Sequence, residues 1–206
     1  MSRIAALILA AGRSTRFVNE ATATKAVAEF SGTPLIRHVA EAALASHAHP
    51  VIVVTGHSAP SISAALKPLD VQIVYAEDYA KGQSRSLRAG VAAIPSEFEG
   101  VVVLLADMPL VSSALIDDLI GAFEKTPGAA AVVPSFAGRR GNPVLLGRQL
   151  FPTVARLDGD RGAGPLLAHL EGIIEYAVTT SSIHVDVDTE EDLQRLNAEH
   201  GRNRAL

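Results

Sequence analysis

Cysteine is absent from the 206-residue sequence, which removes disulfides, thiolate metal sites and cysteine nucleophiles from consideration. An excess of basic charge is missing as well: 18 Lys and Arg stand against 22 Asp and Glu, a formal charge of −4. Bulk nucleic-acid binding needs a broad cationic face to neutralise phosphates, so it is not expected. A small cationic pocket for one triphosphate stays compatible with this balance. Apolar runs long enough to cross a bilayer are lacking too. The first run, Ile4 to Ala11, falls well short of a spanning helix. It has only Arg3 before it and no convincing cleavage site, so it reads as a buried strand and not a signal peptide. No membrane association is expected, and the cytoplasm is the default location.

Several catalytic signatures are also missing. Gly12 is followed by nothing of the Gly-x-x-x-x-Gly-Lys-Ser/Thr form, and a Gly-x-Gly-x-x-Gly fingerprint would need more glycines than this loop has. The histidines (His38, His47, His49, His57, His169, His184 and His200) form no His-Glu-x-x-His pattern, and Gly-x-Ser-x-Gly does not occur. Kinase-type P-loop, dinucleotide-oxidoreductase, zinc-peptidase and serine-hydrolase readings therefore lose their main support.

What is present is the composition of a globular chain, 48% hydrophobic and 19% charged. Strand-like runs rich in Val and Ile occur at Ile4–Leu9, Val51–Thr55, Val71–Tyr75, Val101–Leu105, Ala129–Val133, Pro143–Leu146, Ile173–Val178 and Ile183–Val187. Most are continuous and not alternating, as suits strands covered by helices on both faces. Helical patterns fall at Pro34–Ser46, Ser61–Leu69, Ser84–Ala93 and Ser112–Glu124, and Thr189 with the acids after it reads as a helix start. Strand and helix alternate over about residues 1–125, which predicts one α/β domain with a mainly parallel sheet. In such sheets ligands bind beyond the carboxyl ends of strands.

The chemistry is expected there. Leu9-Ala10-Ala11-Gly12-Arg13-Ser14-Thr15-Arg16 offers small residues whose backbone N–H groups make an anion nest. Arg13 and Arg16 add forked donors for phosphate, and Lys25 is in reach of the same charge. Asp107 ends the run Val101–Ala106, where a buried acid needs a partner such as a hard cation. Asp186 and Asp188 flank Val187; in a strand both would face one side. The alternative assigns Asp188 to capping the helix at Thr189 and leaves Asp186 for the metal, and this split is the one preferred here. Ser84 or Ser86 can cap the helix after Gly82. Arg139, Arg140, Gly141, Asn142 and Pro143 form a cationic turn suited to an anionic acceptor, and Asp160-Arg161-Gly162 is a similar case.

Together, the loop Leu9–Arg16 with Lys25, and the segments Gly82–Leu87, Ala106–Pro109, Arg140–Val144, Gly159–Ala163 and Asp186–Asp192, resemble the MobA-like nucleotidyltransferase family. The likeness is to its molybdenum-cofactor cytidylyltransferase branch. The resemblance implies a single-domain, three-layer α/β/α fold with a mostly parallel Rossmann-like sheet, as in nucleotide-diphospho-sugar transferases. Residues up to about 125 would bind the nucleotide, and about 126–206 would bind the acceptor and supply the second metal ligand. It implies Mg2+ held by Asp107 with Asp186 or Asp188, and catalytic roles for Arg16, Lys25 and Asp107. Leu9, Ala10, Ala11, Gly12, Arg13, Ser14, Lys25, Gly82, Gln83, Ser84 and Ser86 would contact the nucleoside triphosphate. Arg140, Gly141, Asn142, Pro143, Asp160 and Arg161 would border the phosphorylated small-molecule acceptor. Ala10-Ala11-Gly12 favours CTP over GTP, the molybdenum cofactor is the expected acceptor, and a molybdoenzyme or chaperone is the expected protein partner. A sugar phosphate acceptor, or a nucleotide-binding protein without turnover, are the alternatives. The second follows from a departure: the family's pattern is Arg-Met-Gly with a short stretch before the lysine, whereas here Arg16 is followed by Phe17 to Thr24 without that glycine.

Overall fold

The computed structural model describes residues 2–14, 17, 24–159, 162–168 and 170–204. The chain opens with β1 (Ile4–Ala10), a short hairpin of β2 (Glu29–Phe30) and β3 (Thr33–Pro34), and α1 (Leu35–Leu44). It continues through β4 (Val51–Thr55), α2 (Ala59–Leu66), β5 (Gln72–Tyr75), α3 (Gln83–Ala92), β6 (Gly100–Leu105) and α4 (Ser113–Glu124). The last third holds β7 (Ala131–Phe136), β8 (Arg139–Arg140), β9 (Val144–Gly147), α5 (Phe151–Val154), α6 (Gly164–Ala168), β10 (Ile173–Ala177) and α7 (Glu190–Arg204).

The strand order β10-β7-β9-β6-β1-β4-β5 is parallel except at β9, which runs against β6 and β7 on either side of it. The apolar run of β1 is continuous because both its faces are covered. Ile4, Ala6, Ile8 and Ala10 pack with α1, α2 and α4, whereas Ala5, Leu7 and Leu9 pack with residues of α3, α5 and α6. These are the three layers predicted from the sequence. A third apolar cluster joins Phe17, Phe30 and Leu35 to Val187 and to Leu193 and Leu196 of α7. No described helix is long and apolar enough to cross a membrane.

One expected strand does not form. Ile183–Val187 splits into a 3-10 turn over Ser181–His184 and a stretch without regular structure after it. The Thr180 hydroxyl accepts a bond from the Ser182 N–H at 3.2 Å, which nucleates the turn. Ser112 caps α4 by accepting the Leu115 N–H, so the helix begins one residue later than the pattern suggested.

Candidate active site

A cleft of about 630 Å³ opens beyond the carboxyl ends of β1, β5 and β6. It gathers Leu9, Ala10, Ala11, Gly12, Arg13, Ser14, Lys25, Gly82, Gln83, Ser86, Asp107, Asp186 and Asp188. Arg16, Asp160 and Arg161 lie outside the described residues. The sheet explains the position: chain progression outward from β1 to β4 and β5, followed by a return to β6 on its other side, creates the crevice at which such sheets bind ligands.

The loop after β1 is tied down by its own polar groups. The Ser14 hydroxyl lies 2.9 Å from the Thr24 hydroxyl and accepts the Lys25 N–H at 3.3 Å. Phe17 donates its N–H to the Ser14 carbonyl at 3.0 Å and buries its ring beside Val187. The residue that departs from the family pattern is thus a core anchor linking the loop to the acidic motif. A Cβ at Gly12 would meet nothing within 4 Å. The fold leaves room for a side chain there, and a need for glycine would come from the close approach of a ligand.

Lys25 bridges the acids. Its Nζ lies 2.6 Å from Asp107 Oδ2 and 2.8 Å from Asp188 Oδ1, with all three side chains only 18–26% exposed. Burial works to lower the lysine pKa, but the two carboxylates outweigh it and hold it above its ordinary value. Asp186 goes up instead, by burial first and then by the charges of Asp188 and Asp107. Val187 donates its N–H to the Asp107 carbonyl at 3.0 Å, which pins the two acidic segments together. Although the segment is not a strand, Asp186 and Asp188 still line one cleft.

The helix-capping role considered for Asp188 belongs elsewhere. Thr189 Oγ1 accepts the Asp192 N–H at 3.1 Å while Asp192 Oδ2 accepts the Thr189 N–H at 3.0 Å, a reciprocal capping box. The Asp188 carboxylate is occupied by Lys25. No three His, Cys, Asp or Glu side chains converge into a ligand cluster among the described residues. Asp107 Oδ1, however, is buried and has no hydrogen-bond partner among them. A buried carboxylate oxygen left without a partner is costly, and a hard cation beside it would supply one. The donor set fits a divalent ion in that respect.

At the far side of the cleft Gly82 takes φ 118° and α3 starts directly at Gln83, with no side-chain cap. Neither Ser84 nor Ser86 caps it. The capping geometry needs a hydroxyl one residue ahead of the helix, and both serines lie within its first turn. Ser84 is fully buried away from the cleft, whereas Ser86 lines it. Asp158 accepts from Arg85 at 2.9 Å, and Gly162 lies close enough to Gln83 that an added Cβ would sit 3.0 Å from its side-chain oxygen. Asp158 and Gly162 therefore sit by the α3 end of the cleft.

Arg140, Gly141, Asn142 and Pro143 do not line the cleft; they precede β9, whose Val144 pairs with Val103 toward the carboxyl end of β6. Arg140 pairs with Glu175 at 2.7 Å. A Cβ at Gly141 would lie 2.4 Å from the Ile183 carbonyl oxygen, and Asn142 donates its N–H to that carbonyl at 3.0 Å. His184 contacts the carbonyls of Arg139 and Arg140 at 3.2 and 3.3 Å. Sequence reasoning missed Tyr79, Ala80, Thr24 and Ala26, all of which line the cleft. For Tyr79 the available signal was a lone aromatic shortly after a strand end.

Residues 6–173 match the MobA-like NTP transferase domain family. The chain belongs to that family. The bifunctional protein GlmU of Rhizorhabdus wittichii is 30% identical over 210 residues, which cover 98% of this chain and 42% of that protein. The chain spans from 24% to 42% of the length of the curated GlmU relatives compared. Among solved structures, Rv0371c of Mycobacterium tuberculosis H37Rv, in complex with manganese, superposes with TM-score 0.81 at 28% identity, covering 96% of this chain and 99% of that one. A nucleotidyl transferase of Methanothermobacter thermautotroptrophicus, Mth528, superposes with TM-score 0.82 at 25% identity, covering 98% and 99%.

Proposed function

We propose that the protein transfers CMP from CTP to a phosphorylated acceptor, the molybdenum cofactor being our preferred one, and releases pyrophosphate. The observation that carries the reading is the cluster of Lys25, Asp107 and Asp188 at the mouth of the small-residue loop, with Asp107 Oδ1 lacking a hydrogen-bond partner among the described residues. Membership of the nucleotidyltransferase family supports the reaction class. The Ala10-Ala11-Gly12 segment and the resemblance to the cytidylyl branch support CTP.

In the reaction an acceptor phosphate oxygen attacks the α-phosphorus, the bond from that phosphorus to the bridging oxygen breaks, and pyrophosphate departs. A phosphate monoester loses its second proton near pH 6, so no general base is required. A divalent cation, magnesium in this reading, would be held by Asp107 with Asp186 or Asp188 and would neutralise phosphate charge. The structure of Rv0371c with manganese supports a divalent site in this fold. The loop N–H groups from Ala11 to Ser14, with Arg13, would orient the phosphates. Lys25, released from the acids, would stabilise the departing pyrophosphate, and Arg16 would join it. The segment Arg140–Pro143, which precedes β9, would face the acceptor, with Asp160 and Arg161 bordering it.

The test is pyrophosphate release with each triphosphate, magnesium and a panel of molybdopterin-type and sugar phosphate acceptors. CTP with the molybdopterin-type acceptor is the expected pair, and Asp107→Ala is expected to abolish release. Unchanged turnover in that variant would overturn the site. Tight CTP binding with no turnover on any acceptor would mark a binding protein.

A further inference from the structure

We propose that Tyr79 is the stacking wall for the nucleobase and that Gly56 positions it; this rests on the nucleotidyltransferase reading above. The carboxyl ends of β6, β1, β4 and β5 follow one another across the sheet. Asp107 follows β6, the small-residue loop follows β1, Gly56 follows β4, and Tyr79 comes shortly after β5. Neighbouring strands lie about 4.8 Å apart, so the rim from Asp107 to the β5 side runs roughly 14 Å. That length suits a nucleotide laid out with its phosphates at one end and its base at the other. The charge distribution orients it. Lys25, Asp107, Asp186 and Asp188 crowd the β6 side, while Tyr79, Ala80, Gly82, Gln83 and Ser86 form an uncharged far end.

Tyr79 is the only aromatic among the described residues lining the cleft. It opens a 3-10 turn over Tyr79–Lys81, where its N–H donates to the Ala76 carbonyl at 3.1 Å and its carbonyl accepts the Gly82 N–H at 3.3 Å. A Cβ at Gly56 would lie 2.6 Å from Tyr79 Cγ and 2.9 Å from Ala11 Cβ. Gly56 therefore clears the space that lets the tyrosine close on the loop after β1. His57 and Tyr75 flank the ring, with centroids 6.2 and 6.3 Å away. The ring thus combines an aromatic face, an entrance to the cleft and bracing that limits its rotation. Base stacking on an aromatic contributes about 1–3 kcal/mol per base by alanine substitution, roughly five- to 150-fold in affinity. Gln83 and Ser86 stand beside it with hydrogen-bonding groups for the base edge.

The experiment compares binding of CTP and of tripolyphosphate, which lacks base and ribose, by calorimetry in magnesium. Tyr79→Ala is expected to weaken CTP about fivefold or more and leave tripolyphosphate unchanged, while Tyr79→Phe retains CTP. Because the chain has no tryptophan, Tyr79→Trp creates a single reporter whose emission should respond to CTP and not to tripolyphosphate. Tyr79→Ala that weakens both ligands equally, or neither, overturns the stacking role while leaving the triphosphate site standing. A wild-type protein that binds neither ligand overturns the nucleotidyltransferase reading and the stacking role with it.

Discussion

Removing the charge of Lys25 while keeping its bulk, as Lys25→Met does, leaves Asp107 and Asp188 facing the vacated space from 2.6 and 2.8 Å contacts. Breaking a fully buried pair from one side costs about 3–5 kcal/mol, whereas exposed pairs contribute less than about 1 kcal/mol. With side-chain exposures of 18–26%, the site sits between these limits, and a loss of about 2 kcal/mol is expected. For a domain of this size that lowers the melting temperature by about 4–8 °C. The lysine pKa is raised in the fold, so the contribution is intact at neutral pH and is lost as pH rises through the raised value. Magnesium offers the acids a replacement cation without competition from the ammonium. At ten times its dissociation constant it would restore about 1.4 kcal/mol. Differential scanning fluorimetry of both proteins with and without magnesium reads the whole argument. A variant that melts with the wild type, or that gains no more from magnesium than the wild type does, refutes it.

Gly12→Ala is expected to melt within about 1 kcal/mol of the wild type, since the added methyl meets open space; calorimetry should show weakened CTP binding all the same. Gly141→Ala should do the opposite. Its Cβ would strike the Ile183 carbonyl oxygen, a backbone atom, and a loss of about 2 kcal/mol in urea unfolding is expected. Asp192 is held below the usual carboxylate range, chiefly by the Thr189 hydroxyl. Its contribution is present above the ordinary carboxylate pKa and fades as pH falls through the lowered one. Thr189→Ala should cost about 1 kcal/mol at neutral pH and flatten that acid dependence in a pH series of thermal melts.

The layered architecture was legible because burial on both faces writes itself as continuous apolar runs, as in Ile4–Leu9 and Val51–Thr55. Ile183–Val187 has the same look, yet a hydroxyl at Thr180 redirects the backbone into a turn, and local polar competition of that kind is invisible to hydropathy. The loop Leu9–Ser14 and Asp107 were legible as residue types at strand ends, and Asp186 and Asp188 as acids beside an apolar run that forms no strand. The position of Lys25 was not. Its distance in sequence to Asp188 is long, and only folding decides whether an ammonium rests on phosphate or on carboxylate. Arg140 and Gly141 looked alike as parts of a cationic turn, but Glu175 and Ile183 give each a structural task. Tyr79 escaped notice because its place in the cleft depends on Gly56, a residue at another strand end.

The linear arrangement along the sheet rim has an evolutionary consequence. The features proposed for the base sit beyond β4 and β5, whereas the segment proposed for the acceptor lies by β8 and β9, with the charged centre between them. Substitutions at one end need not disturb the other, since sites with no shared partners act almost independently. A lineage built on this scaffold can therefore exchange its donor or its recipient separately, and keep the same charged middle through either change.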